Sequence, residues 1–229
     1  MYQTNKRPEL AIEALEKWGD LTNEETLNEW IYLLDQSTDP KNISKATQQL
    51  AKATLIDSTI DFSKLYQRYT EARDTGITRA QMLDWIAQYA EINAEDAQVY
   101  LNSMKGFDAL LQKSYSSQKQ VKRDALRELD YAYYIGVGTQ RDLAKQFKIV
   151  EQLAELNDES AAYQMAEAYR IGKGVPLNWD KAVHYYTLLP DEGYAYALEN
   201  IDFYKCVVIP AQKGDMNAAF TLGQYYLES

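Results

Sequence analysis

Cysteine and histidine are almost absent from this 229-residue chain, which holds one of each. The single cysteine, Cys206, excludes an intrachain disulfide and a zinc site built on cysteines. The single histidine, His184, is the only base available to a Ser-His-Asp arrangement, and a metal site would need carboxylates to complete it. The sequence therefore predicts no metal, no cofactor and no catalytic residue. Cys206 precedes the apolar residues Val207, Val208 and Ile209, which predicts a buried thiol.

Basic residues are also in short supply. The chain has 24 Lys and Arg against 34 Asp and Glu, a formal net charge of −10 and a pI near 4.7. This excess of negative charge repels nucleic acid phosphates and anionic lipid. No apolar run approaches the roughly 20 residues that span a bilayer. We therefore expect a protein partner, no nucleic acid and no direct membrane insertion. The compartment stays open: periplasmic if the chain is a piece of a secreted parent, cytoplasmic otherwise.

Helix breakers are few, with ten glycines and five prolines beside 46% hydrophobic residues. This composition predicts an all-α fold. Several segments also carry the caps and prolines that begin helices. These start signals are Pro8, the capping boxes Thr22–Glu25 and Thr78–Gln81, the pair Asp39-Pro40, and Asn93.

One passage occurs twice, at Ala125–Ala154 and Ala161–Thr187. In each copy an Ala-rich helical segment leads into a Gly-x-Gly turn and a second helical segment. The turn glycines are Gly136 and Gly138 in the first copy, and Gly172 and Gly174 in the second, 36 residues later. A period of that length is typical of helical repeat arrays, whose units stack to bury their apolar faces. We expect these glycines to be structural, because glycine adopts left-handed backbone angles at little cost.

The Gly-x-Gly pairs could instead be read as phosphate-binding loops. A dinucleotide site needs a preceding strand and a third glycine three residues on. Here the preceding segments are helical, and Arg141 and Leu177 occupy the third position. The turn interpretation is therefore favoured.

The residues 161–176, continuing through Trp179–Tyr186, resemble a Sel-like repeat, a relative of the tetratricopeptide repeats. The resemblance extends over roughly residues 122–229. It implies antiparallel helix pairs stacked into a right-handed α-α superhelix, a solenoid. It also implies a protein-interaction scaffold without catalytic residues of its own.

The other repeat units depart from this pattern. Thr139 replaces the usual Val in the first unit, and a third unit, Ala197–Lys213, lacks the Gly-x-Gly turn. A fourth begins at Gly214, where Leu222, Gly223 and Tyr226 match Met165, Ala166 and Tyr169. It stops without a second helix, so we expect the chain to be a piece of a longer protein.

No clean period precedes residue 120. We therefore predict an irregular helical array, of divergent repeats or none, over 1–120 and Sel-like repeats over 121–229, with the polar stretch Ser114–Gln120 between them. The segment Tyr66–Leu101 is similar to the less regular repeats of bacterial periplasmic scaffold lipoproteins of alginate-type exopolysaccharide export. That weaker resemblance implies a narrower role in polysaccharide secretion.

Tyrosine is abundant, with 19 copies, and many crowd the repeat half. Exposed tyrosines offer large contact area and a hydroxyl at low entropic cost, which suits a protein interface. Their rings could also stack on sugars, so polysaccharide contact stays open beside the favoured protein contact. The residues predicted to contact a partner are Tyr133, Tyr163, Arg170, Tyr185 and Tyr194.

The sequence thus predicts a non-enzymatic scaffold or adaptor. Two narrower versions stay open. One is a periplasmic scaffold of an exopolysaccharide secretion complex, and the other is an immunity or regulatory protein that binds and blocks a toxin or enzyme.

Overall fold

The computed structural model describes Lys17 and residues 24–36, 39–55, 61–71, 76–190 and 195–228. Within these ranges every regular element is helical, which confirms the all-α prediction. The chain is a helical repeat protein, and consecutive helices contact one another between Glu24 and Tyr89 and between Glu159 and Glu228. The helices are α1 (Glu24–Asp35), α2 (Pro40–Thr54), α3 (Phe62–Thr70), α4 (Arg79–Tyr89), α5 (Ala94–Ser114), α6 (Lys119–Ile135), α7 (Leu143–Glu155), α8 (Glu159–Ile171), α9 (Trp179–Tyr186), α10 (Ala195–Phe203), a π-helical turn (Tyr204–Val208), α11 (Ile209–Gln212) and α12 (Met216–Glu228).

Helix starts follow the capping residues that the sequence marks. The Asp39 carboxylate accepts the Lys41 amide at the start of α2, and Pro40 occupies the first turn. Thr78 and Gln81 form a reciprocal capping box at the start of α4. Both predicted starts are confirmed. The signals at Pro8 and Thr22 lie outside the described residues.

The chain divides into two compact units. The N-terminal unit comprises the described residues up to Ala109 together with Tyr131–Leu143, and the C-terminal unit comprises Leu110–Asp130 and the described residues from Ala144 onward. The predicted boundary near residue 120 stays a prediction. The polar stretch Ser114–Gln120 connects the end of α5 to the start of α6.

The N-terminal unit has an aromatic core. Phe62 stacks on Tyr89 with ring centroids 4.4 Å apart, and Tyr66 and Phe62 both contact Tyr100, at 4.7 and 5.3 Å. Burial, with a smaller contribution from the charge of Asp96, raises the pKa of Tyr100 to about 12. The phenols of this core therefore stay protonated through the neutral range.

The first Gly-x-Gly turn belongs to this unit and is held by an arginine. Gly136 and Gly138 have φ angles of 89° and 67°, in the left-handed region. The Arg79 guanidinium donates to the Gly138 carbonyl at 2.7 Å, and the Asp142 amide closes the turn on the Tyr133 carbonyl at 2.9 Å.

The second turn repeats this backbone pattern in the C-terminal unit. Gly172 and Gly174 have φ angles of 72° and 76°. The Asn178 amide donates to the Tyr169 carbonyl at 2.8 Å, the same bond 36 residues later. The preceding helices also bury matching positions. These are Ala125, Leu126, Leu129 and Tyr133 in α6, and Ala161, Ala162, Met165 and Tyr169 in α8.

The third repeat, predicted over Ala197–Lys213, has no Gly-x-Gly turn because the chain stays helical there. Helix α10, the π-helical turn and α11 follow one another from Ala195 to Gln212. Pro210 lacks an N–H, and its ring would clash with the carbonyl four residues earlier in an α-helix. The π-helical turn before it accommodates the proline, with the Ile209 amide bonded to the Tyr204 carbonyl.

The prediction that Cys206 is buried is wrong, because its thiol is exposed. Val208 takes the buried position of this turn, with 1% of its surface exposed. Residues two apart on a helix point in very different directions, so an apolar run does not bury all its members. No helix in the described ranges has the length and apolarity to cross a membrane.

Candidate protein-interaction surface

Helix α8 places three chemically distinct side chains on one face. Tyr163, Glu167 and Arg170 are spaced i, i+4, i+7, so they line up along the helix. The helix begins at the cap Asp158, whose carboxylate accepts the Ala161 amide at 3.1 Å. This cap fixes the start of α8 within the C-terminal unit.

Arg170 organises this face. Its guanidinium makes two bonds to the Glu167 carboxylate, Nε to Oε1 at 3.1 Å and Nη2 to Oε2 at 2.7 Å. Its Nη1 donates to the Tyr225 hydroxyl, and its Cζ lies 5.7 Å from the centroid of the Tyr196 ring. Only 10% of the Arg170 side chain is exposed. The arginine therefore joins α8 to α10 and α12.

Glu167 is held as a carboxylate at the centre of this cluster. It also accepts a hydrogen bond from the Tyr186 hydroxyl of α9. Burial alone would raise the pKa of Glu167, but the bonds from Arg170 and Tyr186 outweigh it and lower the pKa below its ordinary value. The same burial and the Glu167 charge raise the pKa of Tyr186. The proton therefore stays on the phenol and the charge stays on the carboxylate.

An aromatic cluster supports the arginine from the other helices. Phe203 lies 4.7 Å from Tyr225 and 5.5 Å from Trp179, measured between ring centroids. The Trp179 indole N–H donates to the Tyr226 hydroxyl at 2.9 Å. These contacts join α9, α10 and α12 into a firm base.

Two tyrosine rings near Arg170 and Glu167 keep some exposure to solvent. Tyr196 is 43% exposed, and Tyr163 is partly buried. Burial, the Glu167 charge and the nearby Tyr196 raise the pKa of Tyr163. We call Tyr163, Glu167, Arg170 and Tyr196 the tyrosine–arginine patch.

The predicted contact residues occupy different environments. Tyr163 and Arg170 meet in the patch. Tyr133 is only 7% exposed and packs edge-on against Phe107 in the N-terminal unit. Tyr185 is 3% exposed and stacks on Tyr169, so neither ring offers much surface to a partner. Tyr194 lies outside the described residues.

Two members of the patch were not singled out from the sequence. Glu167 shares the α8 face with the predicted Tyr163 and Arg170, so the helical spacing alone could have identified it. Tyr196 belongs to a different helix, and its place beside Arg170 depends on packing that the repeat period does not encode.

His184 lies outside the patch. Its side chain is 54% exposed, and its Nε2 is 3.3 Å from the Glu155 carboxylate. The described residues contain no group of three or more His, Cys, Asp or Glu placed to hold a metal ion.

Comparison with protein-family models and with curated proteins finds no match. Among solved structures, the chain is similar to a Sel1 repeat protein from Oxalobacter formigenes, with a TM-score of 0.31 and 19% identity over 96% of this chain and 94% of that one. It is also similar to a protective antigen of uropathogenic Escherichia coli strains that displays an SLR fold, with a TM-score of 0.30 and 18% identity over 95% of this chain and 48% of that one. The chain thus spans about half the length of the second protein.

Both neighbours are Sel1-type repeat proteins, the class that the sequence resembles. The narrower resemblance to scaffolds of exopolysaccharide export stays a prediction.

Proposed function

We propose that this chain is a non-enzymatic protein-interaction scaffold that binds its partner through the tyrosine–arginine patch. The proposal rests on the position of Arg170, which bonds the Glu167 carboxylate and lies against the exposed Tyr196 ring. Tyrosine and arginine are enriched among the residues that dominate binding energy at protein interfaces.

The patch suits this role because its members are already ordered. A side chain that is fixed before binding loses less conformational entropy when the partner arrives. Arg170 is held by three neighbours, and the tyrosine rings have few rotatable bonds. The exposed Tyr196 ring and the partly buried Tyr163 ring therefore present apolar area and hydroxyls at a low entropic cost.

A photo-crosslinking capture tests the proposal. A photoreactive phenylalanine analogue at Tyr196 would be irradiated in extracts of the native cell, and the products would be identified by mass spectrometry. We expect specific adducts that disappear when Tyr163 is also changed to Ala. The matched control is the pair Tyr115→Ala and Tyr131→Ala, two tyrosines that are 81% and 57% exposed elsewhere.

The outcomes separate the proposal from its rivals. Capture that survives Tyr163→Ala but is lost in the control pair would reject this patch as the surface. Failure to form any specific adduct in envelope or cytosolic extracts would contradict the scaffold role. Circular dichroism of each variant ensures that a loss reflects the surface and not unfolding.

The two narrower functions, exopolysaccharide secretion and immunity, predict different crosslinked proteins. An outer-membrane porin or a polysaccharide synthase subunit would support the exopolysaccharide version. A secreted toxin or enzyme, inhibited on binding, would support the immunity version.

A further inference from the structure

The three helices that Arg170 joins contain a single basic residue, which is Arg170 itself. Its guanidinium is bonded to Glu167, and only 10% of its side chain is exposed. The other charged residues of α8, α10 and α12 are acidic and exposed. These are Glu159, Glu199, Asp202 and Glu228. The full charges that these helices present to solvent are therefore negative.

Each tyrosine of the tyrosine–arginine patch has an exposed carboxylate one helical turn away. In α10, Glu199 follows Tyr196 by three residues. In α8, Glu159 precedes Tyr163 by four residues. Residues at these spacings lie on the same helix face, with Cβ atoms about 5–6 Å apart. Two helices of the patch thus carry the same pair of groups, a phenol ring and a carboxylate.

A ring beside a carboxylate is a favourable place for a cation. The face of an aromatic ring attracts an ammonium or guanidinium group, and a carboxylate accepts charge-assisted hydrogen bonds from it. The patch already contains one example, because Arg170 lies against the Tyr196 ring while it bonds Glu167. The Tyr196 ring remains 43% exposed despite this contact. It therefore has surface left for a second cation.

We propose that the tyrosine–arginine patch binds a basic segment of its partner. An arginine or lysine of that segment lies on the exposed surface of the Tyr196 ring and pairs with Glu199. A second basic residue of the segment meets Tyr163 and Glu159. This inference rests on the proposed function and adds the charge of the partner.

The charge of the whole chain acts in the same direction. A net charge of −10 attracts a basic partner from a distance and repels an acidic one, which raises the rate of productive encounter. Exposed charges are largely screened beyond about 8 Å at physiological ionic strength. Specific binding must therefore come from contacts at the patch, and its test needs variants that change the net charge equally at different places.

A random peptide library tests the charge of the segment directly. Twelve-residue peptides displayed on phage are selected on the full chain, and those that also bind Tyr196→Ala are removed. We expect the remaining peptides to share two or more Arg or Lys residues. Their binding, measured with the synthetic peptides, should weaken as the salt concentration rises.

Charge reversal on both sides of the contact tests the pairing. Glu199→Lys should weaken the selected peptides by about tenfold or more, because it places like charges opposite each other. Changing one Arg or Lys of the peptide to Glu should restore binding to Glu199→Lys. The matched control is Glu91→Lys, which changes the net charge equally at an exposed residue of the N-terminal unit. It should leave the affinity nearly unchanged, and the Glu-containing peptide should not bind it.

Four outcomes would overturn the inference. The first two are a library that yields no peptide dependent on Tyr196, and Tyr196-dependent peptides that are neutral or acidic. The third is an equal loss in Glu199→Lys and Glu91→Lys, which would mean general attraction by the net charge. The fourth is a wild-type dimer in sedimentation that Glu199→Lys converts to monomer, which would assign the patch to a second copy.

The crosslinking experiment at Tyr196 separates this inference from the proposed function. If any of the four outcomes occurs while that crosslink still captures a partner that needs Tyr163, only the charge of the partner has been inferred wrongly. The scaffold proposal then stands. Circular dichroism of Tyr196→Ala and Glu199→Lys checks that both variants remain folded.

Discussion

Arg170 connects three helices of the C-terminal unit through Glu167, Tyr196 and Tyr225. Removing its guanidinium leaves the Glu167 carboxylate, only 23% exposed, without a cationic partner. Breaking one side of a buried pair typically costs about 3 kcal/mol. We therefore expect Arg170→Met to lower the free energy of unfolding at pH 7 by about that amount, measured by urea denaturation. Arg170→Lys, which keeps the charge but loses the paired bonds, should lose less.

The pH dependence of this loss has a defined sign. The pKa of Glu167 is lowered in the folded chain, so its interaction with Arg170 adds stability above the unfolded pKa, near 4.5. This stability disappears as the pH falls through the folded pKa. The difference between wild type and Arg170→Met should therefore shrink at pH 3. An equal difference at both pH values would contradict the role of this pair.

Asp158 and Asp215 provide a second comparison between single residues, because both cap a repeat helix. The Asp158 carboxylate also bonds Arg127, at 2.7 Å to Nε and 2.6 Å to Nη2. We expect Asp215→Ala to cost about 1 kcal/mol, the usual value of an N-cap. Asp158→Ala should cost about 2 kcal/mol because the ion pair is lost as well. Asp158→Asn keeps a cap acceptor and should fall between wild type and Asp158→Ala. Equal losses for the two alanine variants would show that the Arg127 contact adds nothing.

Single residues also mark where sequence reasoning reaches its limit. Spacing along α8 was enough to place Tyr163 and Arg170 on one face. It was not enough for Tyr185, which was expected to contact a partner and is only 3% exposed beside the equally buried Tyr186. Helical periodicity assigns adjacent residues to different directions, and it leaves open whether neighbours cover the helix from both sides. Burial of both rings is a property of the packing around α9.

At the scale of the helix pair, the two Gly-x-Gly turns look equivalent in sequence but differ in their surroundings. A Cβ at Gly138 would overlap the Ser103 carbonyl oxygen, and one at Gly136 would overlap the Thr70 carbonyl oxygen. A Cβ at Gly174 would have nothing within 4 Å. The first turn is packed against other helices of its unit, whereas Gly174 has open space around it.

This difference predicts unequal effects of the same substitution. Gly174→Ala should cost about 1 kcal/mol, the penalty of a left-handed conformation for a residue with a Cβ. Gly138→Ala adds an overlap with backbone and should cost about 3 kcal/mol or more. Thermal denaturation of each variant beside wild type measures which of the two substitutions costs more stability. A smaller loss at Gly138 than at Gly174 would mean that the first turn is not packed as described.

Helix starts could largely be predicted from the sequence. The third repeat shows why the continuity of a helix could not. Capping residues predicted the starts of α2 and α4 because the cap bonds are local. The continuous helical stretch through Pro210 was not predicted, since a proline ordinarily interrupts a helix. The π-helical turn ahead of Pro210 accommodates it, and the capping and repeat signals do not predict that turn.

At the scale of the molecule, the net charge of −10 opposes contact between copies of the chain. The exposed apolar side chains of α12 have the opposite tendency, since burying Met216, Phe220 and Leu227 away from water is favourable. Charge repulsion acts over a Debye length of about 8 Å at physiological ionic strength, and apolar contact acts only when surfaces touch. At neutral pH the repulsion acts first and opposes contact between copies through these side chains.

This balance predicts self-association that depends on pH. As the pH falls from 7 towards the pI near 4.7, the net charge vanishes and repulsion no longer opposes contact through these apolar side chains. Light scattering at micromolar concentration should show a monomer at pH 7 and larger species near pH 4.7. Phe220→Gln, which leaves the charge unchanged, should reduce the association, and Val99→Gln should not. If Phe220→Gln and wild type associate equally, the attraction arises elsewhere on the chain, because the two differ only in the apolar area of α12.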